Sequence, residues 1–232
     1  MALHILENIP FEIDIEKFYK DIHIGPNSED AETVRAIVAM AEDIGRPKAV
    51  YREAFIESRG EDFVIIDRVR INSRILRVNT DGEDRVFPYV ATCGSELFTW
   101  AQGLDDILER YWADLIMERA LYRAIDKMNG HIGDYYGSTS VSVMNPGSLE
   151  DWPLGGQPDL LGLLGDVEGM IDVSLTDSYL MVPFKTTSGL IFSASSDYSS
   201  CMLCGRENCP KRRAPYDADL YDKKYGSSSK TL

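Results

Sequence analysis

The chain has 232 residues, of which 44% are apolar, and a formal net charge of -14. This length and this apolar fraction are enough for one sizeable core or two modest ones. The negative charge argues against a nucleic-acid partner or an anionic membrane surface, because both need a basic face. No apolar run reaches the roughly 18 residues of a membrane span. The N-terminus also lacks the basic segment of a secretion signal, so we expect a cytoplasmic protein.

The first half of the chain alternates between strand and helix patterns. Alternating apolar residues predict a strand over 11–15, and apolar residues at helical spacing predict a helix over 28–45. The same reasoning predicts four further strands, over 49–56, 63–66, 74–78 and 86–92. Pro88 lies inside the last of these and places it at a sheet edge or a bulge.

The second half opens with the strongest helical pattern of the chain. It covers residues 95–128, with a break near Gly103 and a helix stop at Asn129. Residues 129–157 have the composition of a long irregular loop. A short helix is then predicted, followed by two strands that pair with each other; these elements cover 158–165, 173–182 and 187–194. This order indicates one domain with an antiparallel or mixed sheet.

Three of the four cysteines lie close together, as Cys201, Cys204 and Cys209. In a reducing compartment such a group is more often a metal or redox site than a disulfide framework. The first two thiolates are spaced to hold one metal centre, and Cys93 is the remaining cysteine that could complete the site. Other possible fourth ligands are His23, His131 and Asp217. An iron–sulfur cluster, a zinc ion, unligated or redox-active thiols, and a thiolate that contacts a partner's metal are all compatible with the spacing.

A basic run, Lys211-Arg212-Arg213, follows the cysteines directly. It is the one local basic patch in an acidic chain. It could pair with a phosphate or a carboxylate. The alternative is a solvated turn that raises the electrostatic potential near the thiolates.

Three short motifs follow one another in the second half of the chain. They are Asn145-Pro-Gly-Ser-Leu-Glu-Asp-Trp-Pro, Ser174-Leu-Thr-Asp-Ser-Tyr-Leu-Met-Val-Pro and Thr187-Ser-Gly-Leu. Upstream, Val90-Ala-Thr-Cys-Gly opens the long helical region. In this order the motifs resemble those of the reactivation domain of cobalamin-dependent methionine synthase, over residues 30–220.

The resemblance implies an α+β fold, a C-shaped single domain over residues 1–222 with helices packed around a twisted, mostly antiparallel sheet. Residues 223–232 are expected to be a disordered tail. The implied function is that of a stand-alone reactivation subunit, which supports reductive methylation of cob(II)alamin with S-adenosylmethionine. The cobalamin would be held by a corrinoid-binding methyltransferase subunit, and an electron donor protein would supply the electron.

The resemblance also implies a set of ligand-contacting residues. They are Glu118, Pro146, Gly147, Ser148 and Tyr198. The loop departs from the family pattern at two positions, since Val143 stands where the family has Arg and Ser148 where it has an aromatic residue. Two other functions are therefore carried forward: a metal- or iron–sulfur-binding electron-transfer or assembly protein that reuses the fold, and a non-catalytic docking module for a corrinoid protein.

Overall fold

The structure is a computed structural model that describes residues 2–137, 141–193 and 198–225. Ten strands and seven α-helices lie in this part of the chain. The strands are Leu3–Leu6 (β1), Lys48–Arg52 (β2), Ala54–Arg59 (β3), Phe63–Ile66 (β4), Val69–Asn72 (β5), Arg85–Thr92 (β6), Val141–Met144 (β7), Ser174–Leu175 (β8), Met181–Val182 (β9) and Thr186–Ser193 (β10). The α-helices are Ile15–Asp21 (α1), Asp30–Ile44 (α2), Arg74–Asn79 (α3), Ser95–Gln102 (α4), Ile107–Tyr136 (α5), Gln157–Leu164 (α6) and Val167–Ile171 (α7).

Eight of the strands form one sheet around β6. On one side β6 pairs with β2 and then with β3, and on its other side it pairs along its length with β10. Strand β7 extends the sheet beyond β10, and β1 extends it beyond β2. Every pairing between the described strands is antiparallel. The α+β class predicted from the sequence is therefore confirmed.

The expected edge position of the strand that contains Pro88 is wrong, because β6 is central. Proline has no N–H to donate, so a central strand can hold it only where no hydrogen bond is required. The pairing of β6 with β2 ends at Tyr89, and its pairing with β3 begins at Val86. Pro88 lies in this interval, where the predicted single strand over 49–56 is divided into β2 and β3.

Two predicted strands are absent from the structure: one lies in a helix and the other precedes a helix, and both helices begin at a side-chain cap. Residues 74–78 belong to α3, where the Ser73 side chain accepts a hydrogen bond from the Leu76 N–H. Residues 11–15 lead into α1, where Asp14 accepts from the Lys17 N–H. A cap of this kind satisfies a main-chain donor that the first helical turn leaves free. The apolar alternation of these segments was compatible with either structure.

The predicted long helix is confirmed, but its predicted stop at Asn129 is wrong. The break near Gly103 separates α4 from α5, and α5 then continues to Tyr136. It ends at Gly137, which takes a left-handed conformation with φ of 69°. This is the usual helix end for a glycine, whereas an internal glycine such as Gly130 costs only about 1 kcal/mol and does not stop the helix.

The last predicted strand pair and the predicted tail also differ from the structure. Strand β8 pairs with β9 in a separate two-stranded sheet, while β10 joins the main sheet. The final residue of the predicted strand 187–194 lies outside the described residues. The tail predicted over 223–232 begins within a π-helical turn, Tyr221–Tyr225, and Tyr225 is fully buried. The remainder of that tail lies outside the described residues.

Helices cover both faces of the main sheet. On one face Ala124, Met128 and Ile132 of α5 pack against Tyr51, Phe87, Tyr89 and Ile191 of the sheet. On the other face α6 and α7 pack against Val50 and Val90. Helices α1, α2 and α4 add a further layer on α5. Within the described residues, no helix combines the length and the apolarity that crossing a membrane requires.

Candidate functional site

A cavity of about 490 Å³ lies between α5 and the main sheet. We call it the sheet cavity. Its lining comes from α5, from β6, β7 and β10, and from the basic run after the cysteines: Tyr89, Leu121, Tyr122, Ile125, Met128, Asn129, Val143, Asn145, Thr187, Ile191, Lys211 and Arg213. The lining joins an apolar wall to hydroxyl, amide and cationic groups. Pockets that bind small molecules have this kind of mixed lining.

The polar wall of the sheet cavity is held in place by a buried hydrogen-bond network. Asn145 donates through Nδ2 to the Tyr89 hydroxyl at 2.9 Å and to the Ser188 carbonyl at 2.6 Å. Ser188 in turn donates to Gln157 Oε1 at 2.7 Å. Burial raises the pKa of Tyr89, so its hydroxyl stays protonated at neutral pH. The wall therefore presents neutral, preoriented polar groups.

A second cavity, of about 530 Å³, lies between residues 12–21 and the other side of the same stretch of α5. We call it the outer cavity. Its charged lining residues are four acids and four bases: Glu12, Asp14, Asp21, Glu118, Lys17, Arg119, Arg123 and Lys211. Tyr122 and Lys211 line both cavities. The two cavities are thus neighbours along α5. The outer cavity has acidic and basic residues in equal number, whereas the sheet cavity has basic residues only.

The boundary between the cavities is an ion pair between α5 and the basic run. Lys211 pairs with Glu118, whose side chain is 21% exposed. Glu118 also accepts a hydrogen bond from the Tyr122 hydroxyl at 3.3 Å, and Lys211 Nζ lies 5.8 Å from the centre of the Tyr122 ring. These contacts attach residues 199–214, which we call the cysteine-rich segment, to the middle of α5.

Arg212 organises the cysteine-rich segment from within. Its guanidinium donates to the carbonyl of Cys201 at 2.9 Å and of Cys204 at 3.2 Å, and it also donates to the Arg206 carbonyl. One side chain thereby satisfies several carbonyls of an irregular loop, a role that suits the fixed fork of arginine. Arg212 is only half-exposed. The residues on either side of it, Lys211 and Arg213, lie at the sheet cavity.

The structure does not assemble the predicted metal site. Cys201, Cys204 and Cys209 are free, half-buried thiols, and among the described residues no group of three or more His, Cys, Asp or Glu side chains is placed to hold a metal ion. Cys93 lies after β6 in the core between α2, α4 and α5, where burial raises the pKa of its thiol to about 12. Cys93 is thus buried in the helical core and is not grouped with the three thiols of the cysteine-rich segment.

The Cys201 thiol has a different environment. The N–H of Arg213 donates to Cys201 Sγ at 3.4 Å, and this hydrogen bond is the main cause of a lowered pKa. A lowered pKa favours the thiolate, which is the reactive form of cysteine. Cys201 is therefore an activated thiol and a direct contact of Arg213, which lines the sheet cavity.

No protein-family model matches this chain, and no curated protein matches it. Among solved structures, the chain is similar to one described as the crystal structure of the MetH reactivation domain bound to AdoHcy. The TM-score is 0.65 at 14% sequence identity, and the match covers 86% of this chain and 81% of that chain. The chain has the fold of the MetH reactivation domain. The resemblance inferred from its short motifs is thus confirmed at the level of the fold.

Within this reactivation-domain fold, the predicted ligand residues fall in three places. Glu118 lies between the two cavities. Pro146, Gly147 and Ser148 form the turn after β7, where Gly147 has φ of 81° and donates to the Trp152 carbonyl at 2.7 Å. That turn lies next to Asn145 but does not line either cavity on α5.

Tyr198 is a core residue on the opposite side of the sheet from α5. It is 8% exposed, and its ring lies 6.5 Å from that of Tyr225 in a cluster with Met144 and Trp152. Burial raises the pKa of Tyr198 to about 12. The structure therefore does not bring Tyr198 to the cavities on α5, although the sequence placed it with Glu118.

Sequence reasoning missed three polar residues of the sheet cavity, namely Tyr89, Asn145 and Tyr122. Tyr89 was included in an apolar strand, and Asn145 in an irregular loop. Val143, where the family that the sequence resembles has Arg, lines the same cavity with an apolar side chain. A signal for the cavity was present in the basic run, because two of its members line it.

Proposed function

We propose that this chain binds S-adenosylmethionine and its product AdoHcy, and that it acts as a reactivation subunit for a cobalamin-dependent methyltransferase of the methionine synthase type. The observation that supports this best is the likeness, over 86% of the chain, to a reactivation domain whose crystal structure contains AdoHcy. The partner would be a corrinoid-binding methyltransferase subunit. An electron donor protein would be the second partner.

The sheet cavity is the binding site in this proposal. Its volume of about 490 Å³ falls within the range of roughly 300–1,000 Å³ that is usual for small-molecule sites. The apolar side chains of Leu121, Ile125 and Met128 suit a thioether or a purine face. The Tyr89 hydroxyl and the Asn145 amide supply fixed polar contacts. Cobalamin, when bound by the partner, would accept the methyl group, and this chain's residues hold the donor in place.

Calorimetric titration of the purified chain with S-adenosylmethionine and AdoHcy tests the proposal. The titrations are repeated in the presence of a cob(II)alamin-loaded methyltransferase subunit. Binding of either ligand, with or without the partner, is the expected result. Absence of binding in both conditions would contradict the proposal and leave the docking module and the metal-binding protein among the functions considered.

Two matched variants locate the site. Ile125 lines the sheet cavity and Leu115 lines the outer cavity, and both are half-buried apolar residues of α5. Ile125→Trp should fill the sheet cavity and weaken AdoHcy binding by at least about tenfold, which corresponds to about 1.4 kcal/mol. Leu115→Trp should leave the affinity unchanged. The reverse pattern would assign the ligand to the outer cavity.

The metal-binding alternative has a direct test as well. Anaerobic purification followed by iron, sulfide and zinc analysis measures what the thiols hold. Because no three His, Cys, Asp or Glu side chains are grouped among the described residues, we expect less than one metal ion per chain. One zinc ion or one cluster per chain would restore the electron-transfer or assembly function as the stronger proposal.

A further inference from the structure

The sheet cavity is basic in an acidic protein. The chain has 38 Asp and Glu residues against 24 Lys and Arg residues. Among the described residues that line the sheet cavity there is no Asp or Glu, whereas Lys211 and Arg213 both contribute. A local excess of positive charge attracts an anion most strongly where low-dielectric walls focus the field. The cavity is thus suited to an anionic ligand group.

Arg213 is the member of the basic run that is available to a ligand. Lys211 is paired with Glu118, and the Arg212 guanidinium is occupied by main-chain carbonyls. In the described part of the chain, the Arg213 guanidinium takes part in no ion pair and no side-chain hydrogen bond. Its side chain is exposed and lines the sheet cavity. An unpaired guanidinium at a cavity has five donors to offer.

The position of Arg213 is fixed by its main chain and not by its side chain. Its N–H donates to Cys201 Sγ at 3.4 Å, and the adjacent Arg212 is anchored to the Cys201 and Cys204 carbonyls. The backbone is therefore ordered before a ligand arrives, which lowers the entropic cost of binding. The guanidinium itself stays free to form a contact. This arrangement gives the cysteine-rich segment a role that does not require a metal.

The remaining lining defines the shape of a suitable ligand. Ile125, Met128 and Ile191 form an apolar wall, and Tyr89 and Asn145 are neutral. Arg213 supplies the unpaired positive charge. The complementary molecule has an apolar or aromatic body and one anionic end. A carboxylate complements the guanidinium, because two parallel N–H···O bonds can form.

We propose that Arg213 binds the carboxylate of the ligand in the sheet cavity. The identity of that ligand as AdoHcy or S-adenosylmethionine rests on the proposed function. The contact between Arg213 and a carboxylate rests on the cavity alone. Each of these two ligands has a carboxylate at the end of its amino-acid portion, and its adenosine portion would lie along the apolar wall.

Calorimetric titration of the 232-residue chain with two ligands tests the proposal. AdoHcy has the carboxylate, and 5′-methylthioadenosine is the corresponding thioether without the amino-acid portion. Arg213→Gln should weaken AdoHcy binding about 10- to 100-fold, the effect of losing one charge-assisted contact. Binding of 5′-methylthioadenosine should not change. Arg213→Lys should restore part of the loss, because lysine keeps the charge but not the fork.

Arg206→Gln is the matched control. Arg206 is an exposed arginine of the same segment, and its side chain lines neither cavity on α5. The control should bind both ligands as the wild-type chain does. If Arg213→Gln binds AdoHcy as well as the wild type, or loses affinity equally for both ligands, the role of Arg213 is overturned and the proposed function stands.

A second probe separates the two proposals if the wild-type chain binds neither nucleoside ligand, with or without the cob(II)alamin-loaded partner. The proposed function then fails, and 4-phenylbutyrate, an aromatic ring with a carboxylate, tests the cavity by itself. NMR shifts of the Asn145 side-chain amide that Arg213→Gln abolishes would support the carboxylate site. Shifts that persist in the variant, or no shifts in the wild type, would overturn it.

Discussion

Two of the three histidines meet a group of tyrosines where α5 covers β1 and β2. The His4 ring stacks on Tyr51 with centroids 4.8 Å apart, and His4 Nε2 lies 3.2 Å from the Tyr136 hydroxyl. The Tyr51 hydroxyl is 2.5 Å from His131 Nδ1. Desolvation, followed by the charge of His131, lowers the pKa of His4. Glu53 opposes this shift but does not reverse it.

This lowered pKa predicts a loss of stability in mild acid. The unfolded chain has the ordinary histidine pKa of about 6.5, so it binds a proton more readily than the folded chain does. The free energy of unfolding should therefore be constant above about pH 6.5 and fall as the pH drops through the lower folded pKa of His4. Urea denaturation from about pH 7.5 to about pH 5 measures this slope.

Two variants assign the slope to His4. His4→Phe keeps a ring against Tyr51 and removes the titrating group, so it should flatten the pH dependence. His23→Asn is the control, because His23 is exposed and has φ of 58°, a conformation that asparagine tolerates. It should keep the wild-type slope. A slope that survives in His4→Phe and disappears in His23→Asn would contradict the assignment.

Replacing a glycine by alanine should have opposite effects on stability at the start of α4 and in the interior of α5. Gly94 precedes α4 with φ of 96°, and a Cβ there would lie 2.3 Å from the Arg46 carbonyl oxygen. Gly130 lies inside α5, and a Cβ there would meet nothing within 4 Å. Gly94→Ala should destabilise the protein by more than about 1 kcal/mol, whereas Gly130→Ala should stabilise it by about 0.5–1 kcal/mol. Urea denaturation of both variants checks the opposite signs, and equal effects would contradict the role given to Gly94.

The cysteine-rich segment and the helical core should differ in thiol chemistry. Cys201 is half-exposed and its pKa is lowered by the Arg213 N–H, whereas Cys93 is fully buried with a raised pKa. At neutral pH iodoacetamide should therefore alkylate Cys201 in the folded chain and Cys93 only at the rate of unfolding. Peptide mass spectrometry at increasing times gives the two rates. In concentrated urea the rates should converge, and equal rates without urea would contradict the placement of Cys93.

The elements that the sequence predicts correctly are those whose apolar pattern alone decides the structure. This holds for α2, α5 and β6. Each helix has a long buried apolar face, and β6 is buried over most of its length. The short segment 74–78 was different, because Ile75, Leu76 and Val78 fit either period. A distant residue decides it: Asp151 accepts from the Arg74 and Ile75 N–H groups at 3.1 Å each and fixes the start of α3.

Only separate parts of the candidate site were predictable, because contacts between residues distant in sequence bring these parts together. The motifs placed Gly147 and Glu118 near a ligand, and the basic run was recognised as a place for a carboxylate or phosphate. What joins them is tertiary: Lys211 reaches Glu118, and Asn145 reaches Tyr89. These pairs are far apart in sequence, so no local pattern reports them. The metal interpretation depends on the same kind of contact, because spacing along the chain does not by itself bring side chains together, and no three ligands are grouped among the described residues.

In the whole molecule, the sheet cavity lies where α5, the main sheet and the cysteine-rich segment meet. Helix α5 and the main sheet share a buried core, with Ala124 and Met128 at 0% and 1% exposure. The cysteine-rich segment is attached by surface contacts, including the Lys211–Glu118 pair, and by half-buried Leu203. Segments with few buried contacts open locally at low free energy. A ligand that contacts Arg213 would therefore stabilise the segment most.

Hydrogen exchange with and without AdoHcy tests whether the ligand stabilises the cysteine-rich segment more than the rest of the chain. Ligand binding raises the global stability by mass action, so only amides that exchange through local opening report the site. We expect slower exchange over residues 141–145 and 199–214 and unchanged exchange over α2, which contacts neither the basic run nor the sheet cavity. Arg213→Gln should remove the protection over 199–214 while Arg206→Gln keeps it. A shallow groove between α2 and α4 includes Met40 and Trp100. Protection centred there would place the ligand on the far side of the helical layer. It would exclude the sheet cavity as the binding site.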